Sequence, residues 1–142
     1  MHILLIHQAF ASLNEPGGTR HYEFARLLAA RGHRVTVIAS PVSYITGEVS
    51  TPPGAEAAGA GEGIVILRAP VYPAHHRSFV HRLIAFVSFM ASAFRLGLGV
   101  REVDLVWGTS PPIFQGVTAW ALARLKRAPI LFEVRDLWPQ FA

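Results

Sequence analysis

The chain has 142 residues, 51% hydrophobic and 15% charged, which is the length of one domain with apolar material for a sizeable core. Thirteen Lys and Arg against nine Asp and Glu leave a net charge of +4, suited to an anionic membrane or a phosphorylated small molecule; nothing resembles a zinc finger or an arginine-rich arm, so nucleic acid is not an expected partner. With no cysteine, disulfides, thiolate catalysis and Cys-ligated zinc are excluded, and the opening apolar run is too short for a signal peptide.

Residues 2–7, His-Ile-Leu-Leu-Ile-His, are nearly all apolar and predict a central strand of a parallel sheet. A polar loop follows, closing on Pro16-Gly17-Gly18-Thr19, where glycine permits backbone angles that other residues resist. Residues 20–31 read as an amphipathic helix carrying Tyr22, Phe24, Ala25, Leu27, Leu28 and Ala29 on its covered side. Gly32 stands where a helix C′ residue should, and residues 34–39 predict the second strand. Strand, glycine turn, helix and strand make one βαβ unit opening an α/β domain.

The stretch 46–63, rich in Gly, Ala, Pro and Glu, reads as a flexible surface loop, and residues 64–68 as a third strand. Ser78 can cap a long helix running to about Leu98. Its uninterrupted apolar core, 83–94, is shorter than the roughly 20 residues that cross a bilayer. On a helical plot His81, Ala85, Ser88, Ser92 and Arg95 form one weakly polar stripe, so most of this helix must be covered, by core, by a neighbouring domain or by membrane. Residues 104–108 predict a fourth strand. Ser110-Pro111 then reads as an N-cap followed by proline at the first helical position, with the helix running to about Arg127. Pro129 ends it, residues 130–134 predict a fifth strand, and Arg135-Asp136-Leu137-Trp138-Pro139 follows.

These elements predict an α/β, Rossmann-like parallel sheet with helices on both faces and strand order about 3-2-1-4-5. Such sheets bind ligands beyond the carboxyl ends of their strands, where the strand order reverses. The loops at 8–19 and 108–112 and the Arg135-Asp136 pair converge there, and two helix N-termini would favour an anion such as a diphosphate. Each element also has a purely structural reading: a plain turn for Gly17-Gly18, a helix cap for Ser110, a surface ion pair for Arg135-Asp136, and core or solvent for His21 and Tyr22. His75, His76 and His81 lie near one another without a carboxylate beside them, a poor metal site.

A dinucleotide dehydrogenase would show G-x-G-x-x-G and an acidic residue ending the second strand; this chain has Gly17-Gly18 and Ala39-Ser40-Pro41. The Gly-Lys-Ser/Thr of a Walker loop is also absent. Instead, Pro16-Gly17-Gly18-Thr19-Arg20-His21-Tyr22 followed by Leu27-Leu28-Ala29-Ala30-Arg31-Gly32-His33-Arg34-Val35-Thr36-Val37 resembles the opening of family 4 glycosyltransferases, retaining enzymes of the GT-B type. Asp104-Leu-Val-Trp, Ser110-Pro111-Pro112 and Glu133-Val-Arg-Asp136-Leu-Trp-Pro139 continue the likeness in order over essentially the whole chain. The likeness is nearest to the subgroup that builds bacterial surface polysaccharides.

The resemblance implies the incomplete N-terminal half of a GT-B fold, holding the acceptor. A donor-binding C-terminal domain is then missing, to be supplied in cis or in trans, and residues 1–142 alone are expected to be inactive. It implies transfer of a sugar from a nucleotide-sugar donor to a saccharide or lipid-linked acceptor, with no metal and no other cofactor. The implied location is cytoplasmic, with peripheral contact through 78–98 at the inner face of the plasma membrane. By the same resemblance Gly17, Gly18 and Thr19 lie against the donor diphosphate, and Arg135 and Asp136 near the transferred sugar as the catalytic pair. Arg20, His21 and Ser110 then line the acceptor cleft. Relatives carry a histidine where this chain has Arg135; arginine suits pairing with a phosphate or carboxylate better than accepting a proton. A non-catalytic nucleotide- or anion-binding module remains the alternative of a different class.

Overall fold

A computed structural model describes residues 1–11, 18–43, 47, 49, 54–57, 63–72 and 78–135. Its strands are β1 (His2–Ile6), β2 (Arg34–Ala39), β3 (Gly54–Ala57), β4 (Ile64–Arg68), β5 (Leu105–Thr109) and β6 (Ile130–Glu133), and its helices α1 (Arg20–Ala30), α2 (Phe79–Gly99) and α3 (Gln115–Lys126). They form one six-stranded sheet in the order β3-β4-β2-β1-β5-β6. The five parallel strands stand in the expected 3-2-1-4-5 order; the sixth, β3, pairs antiparallel with the β4 edge. The expected loop at 46–63 is therefore corrected at residues 54–57. A chain that returns beside β4 satisfies the edge hydrogen bonds whatever its side chains, so alanine and glycine suffice there.

Alternation along β1 divides the core in two. Ile3 and Leu5 join Val35, Val37, Ile64, Ile66 and Trp107 beneath Tyr22, Ala25 and Leu28 of α1. Leu4 and Ile6 join Ile38 and Val106 beneath Phe89 and Ala93 of α2 and Ala119, Leu122 and Ala123 of α3. The helices α2 and α3 approach closely: a Cβ on Gly97 would stand 2.5 Å from a methyl of Leu122. On the opposite side α1 leaves β5 and β6 partly bare, and a groove of about 410 Å³ opens there, lined by Phe24, Leu27, Trp107 and Leu131 among others.

Three local expectations change. Helix α3 begins at Gln115, five residues after Ser110, so Ser110 is not its cap and Pro111 is not its first residue. The amides of Gln115, Gly116 and Val117 instead donate to the carbonyls of Pro112, Ile113 and Phe114. Ser78 does occupy the N-cap position of α2, but its hydroxyl bonds the His81 ring at 2.8 Å and not the backbone. The helix itself is 21 residues, and its apolar window reaches a mean hydropathy of 1.4, so by length and composition it could cross a membrane. Its C-terminal half is built into the core through Phe89, Ala93 and Gly97.

Candidate functional site

The parity that buries Ile3 and Leu5 under α1 carries past the strand end to His7. The same parity runs along β5 from Leu105 and Trp107 to Thr109, and along β6 from Leu131 to Glu133. Trp107 pairs with Leu131 and Thr109 with Glu133, while Leu5 pairs with Trp107. One step beyond the last apolar row, His7, Thr109 and Glu133 therefore form a polar row across the carboxyl ends of three neighbouring strands, where an open α/β sheet takes its ligand.

This row is hydrogen-bonded throughout. His7 Nδ1 and Thr109 Oγ1 share a bond of 2.6 Å, and the His7 ring lies against the His21 ring with centroids 4.1 Å apart. His21 Nε2 donates to Glu133 Oε2 at 2.9 Å, which assigns its proton to that nitrogen. Arg20 donates to the other carboxylate oxygen at 2.5 Å while its guanidinium sits over the Phe24 ring. One carboxylate thus holds the first turn of α1 to the end of β6. Arg68, almost fully buried, donates to the carbonyls of Phe10 and Ser40 and ties the loop after β1 to the end of β2.

The electrostatics follow from burial and charge. His7 is pushed down to about 3 by its burial, with further lowering from His21, Arg135 and Arg20, so it is neutral at physiological pH. Burial also lowers His21, against the pull of Glu133. Burial raises Glu133, but the bond from His21 and the charges of His21, Arg20 and Arg135 outweigh it and hold its carboxyl below the usual range.

Of the expected site residues, the structure gathers Arg20, His21, Ser110 and Arg135 into this neighbourhood. The Ser110 amide donates to the Glu133 carbonyl, and the Ser110 hydroxyl accepts from the Arg135 amide, both at 2.9 Å. Ser110 is thus a tie between two loops. No carboxylate among the described residues forms an ion pair with the Arg135 guanidinium. Thr19 occupies the N-cap position of α1 without a side-chain capping bond. The first bond of α1 runs from the Glu23 amide to the Thr19 carbonyl, so the amides before it have no intrahelical acceptor. Beside them, Gly18 has nothing within 4 Å of where a Cβ would stand. The expected anion site thus keeps one helix N-terminus, that of α1; the first amides of α3 are already bonded. Gly17 and Asp136 lie outside the described residues.

Thr109 falls in the loop 108–112 expected at the site, whereas His7 and Glu133 were not expected as site residues because each stands at the end of a strand. The signal was present in the alternation of each strand, but it becomes a row only once strand order and register are known. Among the described residues, no group of three or more His, Asp or Glu is placed to hold a metal ion.

Comparison with known proteins bears on the fold and the family. The C-terminal domain of a hydrogenase from Pyrococcus furiosus, residues 78–226, has a similar fold with a TM-score of 0.58 at 16% identity, over 92% of this chain and 89% of that one. A second structure of that domain, residues 83–215, gives the same TM-score and coverage at 17% identity. No curated protein matches the chain. The family model of the glycosyl transferase 4-like domain matches residues 17–142, a span that holds Thr109, Glu133 and Arg135 but not His7, and the chain belongs to that family.

Proposed function

We propose that this chain is the acceptor-side half of a retaining glycosyltransferase. In this reading it moves a hexosyl or N-acetylaminosugar unit from a nucleotide-diphosphate donor to a lipid-linked saccharide during bacterial surface-polysaccharide synthesis. The observation that carries the reading is the polar row His7–Thr109–Glu133, with Arg20, His21 and Arg135 around it, in a chain of the glycosyl transferase 4-like family.

The open space at Gly18 and the amides at the start of α1 that have no intrahelical acceptor suit close approach of the donor diphosphate. Arg135, with no ion-pair partner among the described residues, is the cation that would meet negative charge developing on the leaving diphosphate. Neutral His7 and hydrogen-bonded His21 hold the floor of the cleft in one arrangement, so catalysis is chiefly positioning and charge stabilisation. Asp136 and Arg135 act at the transferred sugar, while Arg20, His21 and Ser110 shape the acceptor side. A donor-binding domain, in cis or in trans, completes the cleft; nucleotide sugar serves as substrate, and no metal takes part. The enzyme works at the cytoplasmic face of the membrane, with α2 as its contact.

Titration of the purified chain tests the reading, with amide NMR as the readout. A lipid-diphosphate saccharide should shift signals from His21, Ser110 and Arg135, and nucleotide sugars should bind weakly. Tight binding of NAD, or of a nucleotide without any saccharide, would instead establish the non-catalytic binding module.

A further inference from the structure

Two lines of exposed residues run along the helical layer that covers one face of the sheet. On α2 they are Val80, Ile84, Val87, Ala91, Arg95 and Leu98, spaced by three and four. On α3 and the turn before it they are Ile113, Val117, Trp120 and Arg124, spaced likewise. Both helices return antiparallel to the strands on the same face, so the lines are parallel, each apolar toward the site edge of the sheet and each reaching an arginine beyond. Two serines of the weakly polar stripe are taken up by the preceding connection: Ser88 accepts from the Tyr72 amide, and Ser92 donates to the Pro70 carbonyl.

The start of α2 is the less covered part. Its buried residues begin at Phe89, and its first ten residues, about 15 Å of helix, include none that is fully buried. Val80 there is 60% exposed, and Trp120 on the neighbouring line is 57% exposed. The charge on this layer has one sign. Residues 63–101 and 105–132 contain no acidic side chain, while Arg82, Arg95, Arg124 and Lys126 lie on the two helices.

We infer that the outer lines of α2 and α3 form a single docking surface for an anionic lipid bilayer, with the exposed apolar residues at the start of α2 and in the first turns of α3 set into the interface. Apolar side chains backed by cations and free of carboxylates fit this occupant, because anionic headgroups meet the arginines while the apolar lines bury among acyl chains. A protein partner of ordinary composition would supply both signs of charge and leave these cations without selective partners. Since both helices begin at the edge that holds Ser110 and Arg135, the site opens toward the bilayer. The surface enlarges the α2 contact proposed above and rests on it.

Co-sedimentation with sucrose-loaded vesicles that contain no saccharide acceptor tests the surface apart from sugar transfer. The chain should bind vesicles of 70% phosphatidylcholine and 30% phosphatidylglycerol, and about tenfold less to phosphatidylcholine alone. The variants I84S/V87S on α2 and V117S/W120S on α3 should each lower binding by about tenfold. R95Q/R124Q should remove most of the preference for the anionic lipid. L27S, on the opposite side of the sheet, should bind as the parent does. Full binding by V117S/W120S would show that α3 takes no part. Absence of vesicle binding together with a dimer that the same variants dissolve would make this face an interface between copies. Either result would leave the nucleotide-sugar and saccharide titration to stand or fall separately.

Discussion

Glu133 is the residue on which the site converges, since a single carboxylate takes both Arg20 and His21 from the first turn of α1. The neighbouring His7 sets the acid sensitivity. Its folded value near 3 lies below the ordinary 6.5, so below pH 6.5 the unfolded chain binds a proton that the folded chain refuses. Stability from this group is complete above pH 6.5, falls as pH drops through it, and stops falling near pH 3. The lowered His21 acts in the same direction. Glu133, held below its ordinary range, contributes stability above its unfolded value that is lost as pH falls through its folded value. Urea denaturation should therefore show the His7 contribution shrinking by about 2 kcal/mol between pH 8 and pH 5. H7N, whose amide can replace Nδ1 toward Thr109 without titrating, should remove that part of the slope. An unchanged slope in H7N would assign the acid sensitivity to other groups.

At the scale of elements, the close seating of helices on the sheet can be compared at two glycines. A Cβ on Gly108 of β5 would stand 2.7 Å from the Cβ of Ala119, a backbone-fixed atom that cannot swing aside, so α3 must lift. G108A should cost about 1–3 kcal/mol in denaturant titration. A Cβ on Gly18 meets nothing, and G18A should change stability by less than about 0.5 kcal/mol. A large loss in G18A would mean that the fold itself requires glycine there, which removes the steric reason for placing a ligand beside it. The long helix α2 divides in the same way: Phe89, Ala93 and Gly97 hold its second half, and its first half has no buried residue. From sequence, its weakly polar stripe implied only that the rest of the helix must be covered. Serine hydroxyls can serve equally well against a neighbouring backbone, and here Ser88 and Ser92 bond the connection at Pro70 and Tyr72.

For the whole molecule, the sheet order predicts a gradient of local stability. β1 lies between β2 and β5 with both faces covered and every residue buried, whereas β6 ends the sheet with Ile130 and Leu131 exposed. Amide hydrogen exchange should be slowest in residues 3–6 and 35–38 and faster in β6 and in β3 at the other edge. Equal protection of β6 and β1 would show that the bare side of β5 and β6 is covered in solution. The groove between α1 and Leu131 marks where such a cover would sit.

Periodicity and punctuation alone determined the βαβ opening, the strands at 34–39 and 64–68 and the helix stop at Gly32, because each is written in a few neighbouring residues, while the parallel order followed from the alternation of strands and helices together with the general rules of α/β sheets. The family likeness was legible for the same reason, its motifs being short and contiguous. Only the tertiary structure decided that His7, Thr109 and Glu133 form one row, that Ser110 ties Arg135 and does not cap α3, and that α2 turns an apolar line outward. Those facts depend on which strand lies beside which, and in what register, between residues from about 25 to about a hundred positions apart. Local alternation states which residues share a face of one strand; packing of the sheet against its helices determines which of those faces meet.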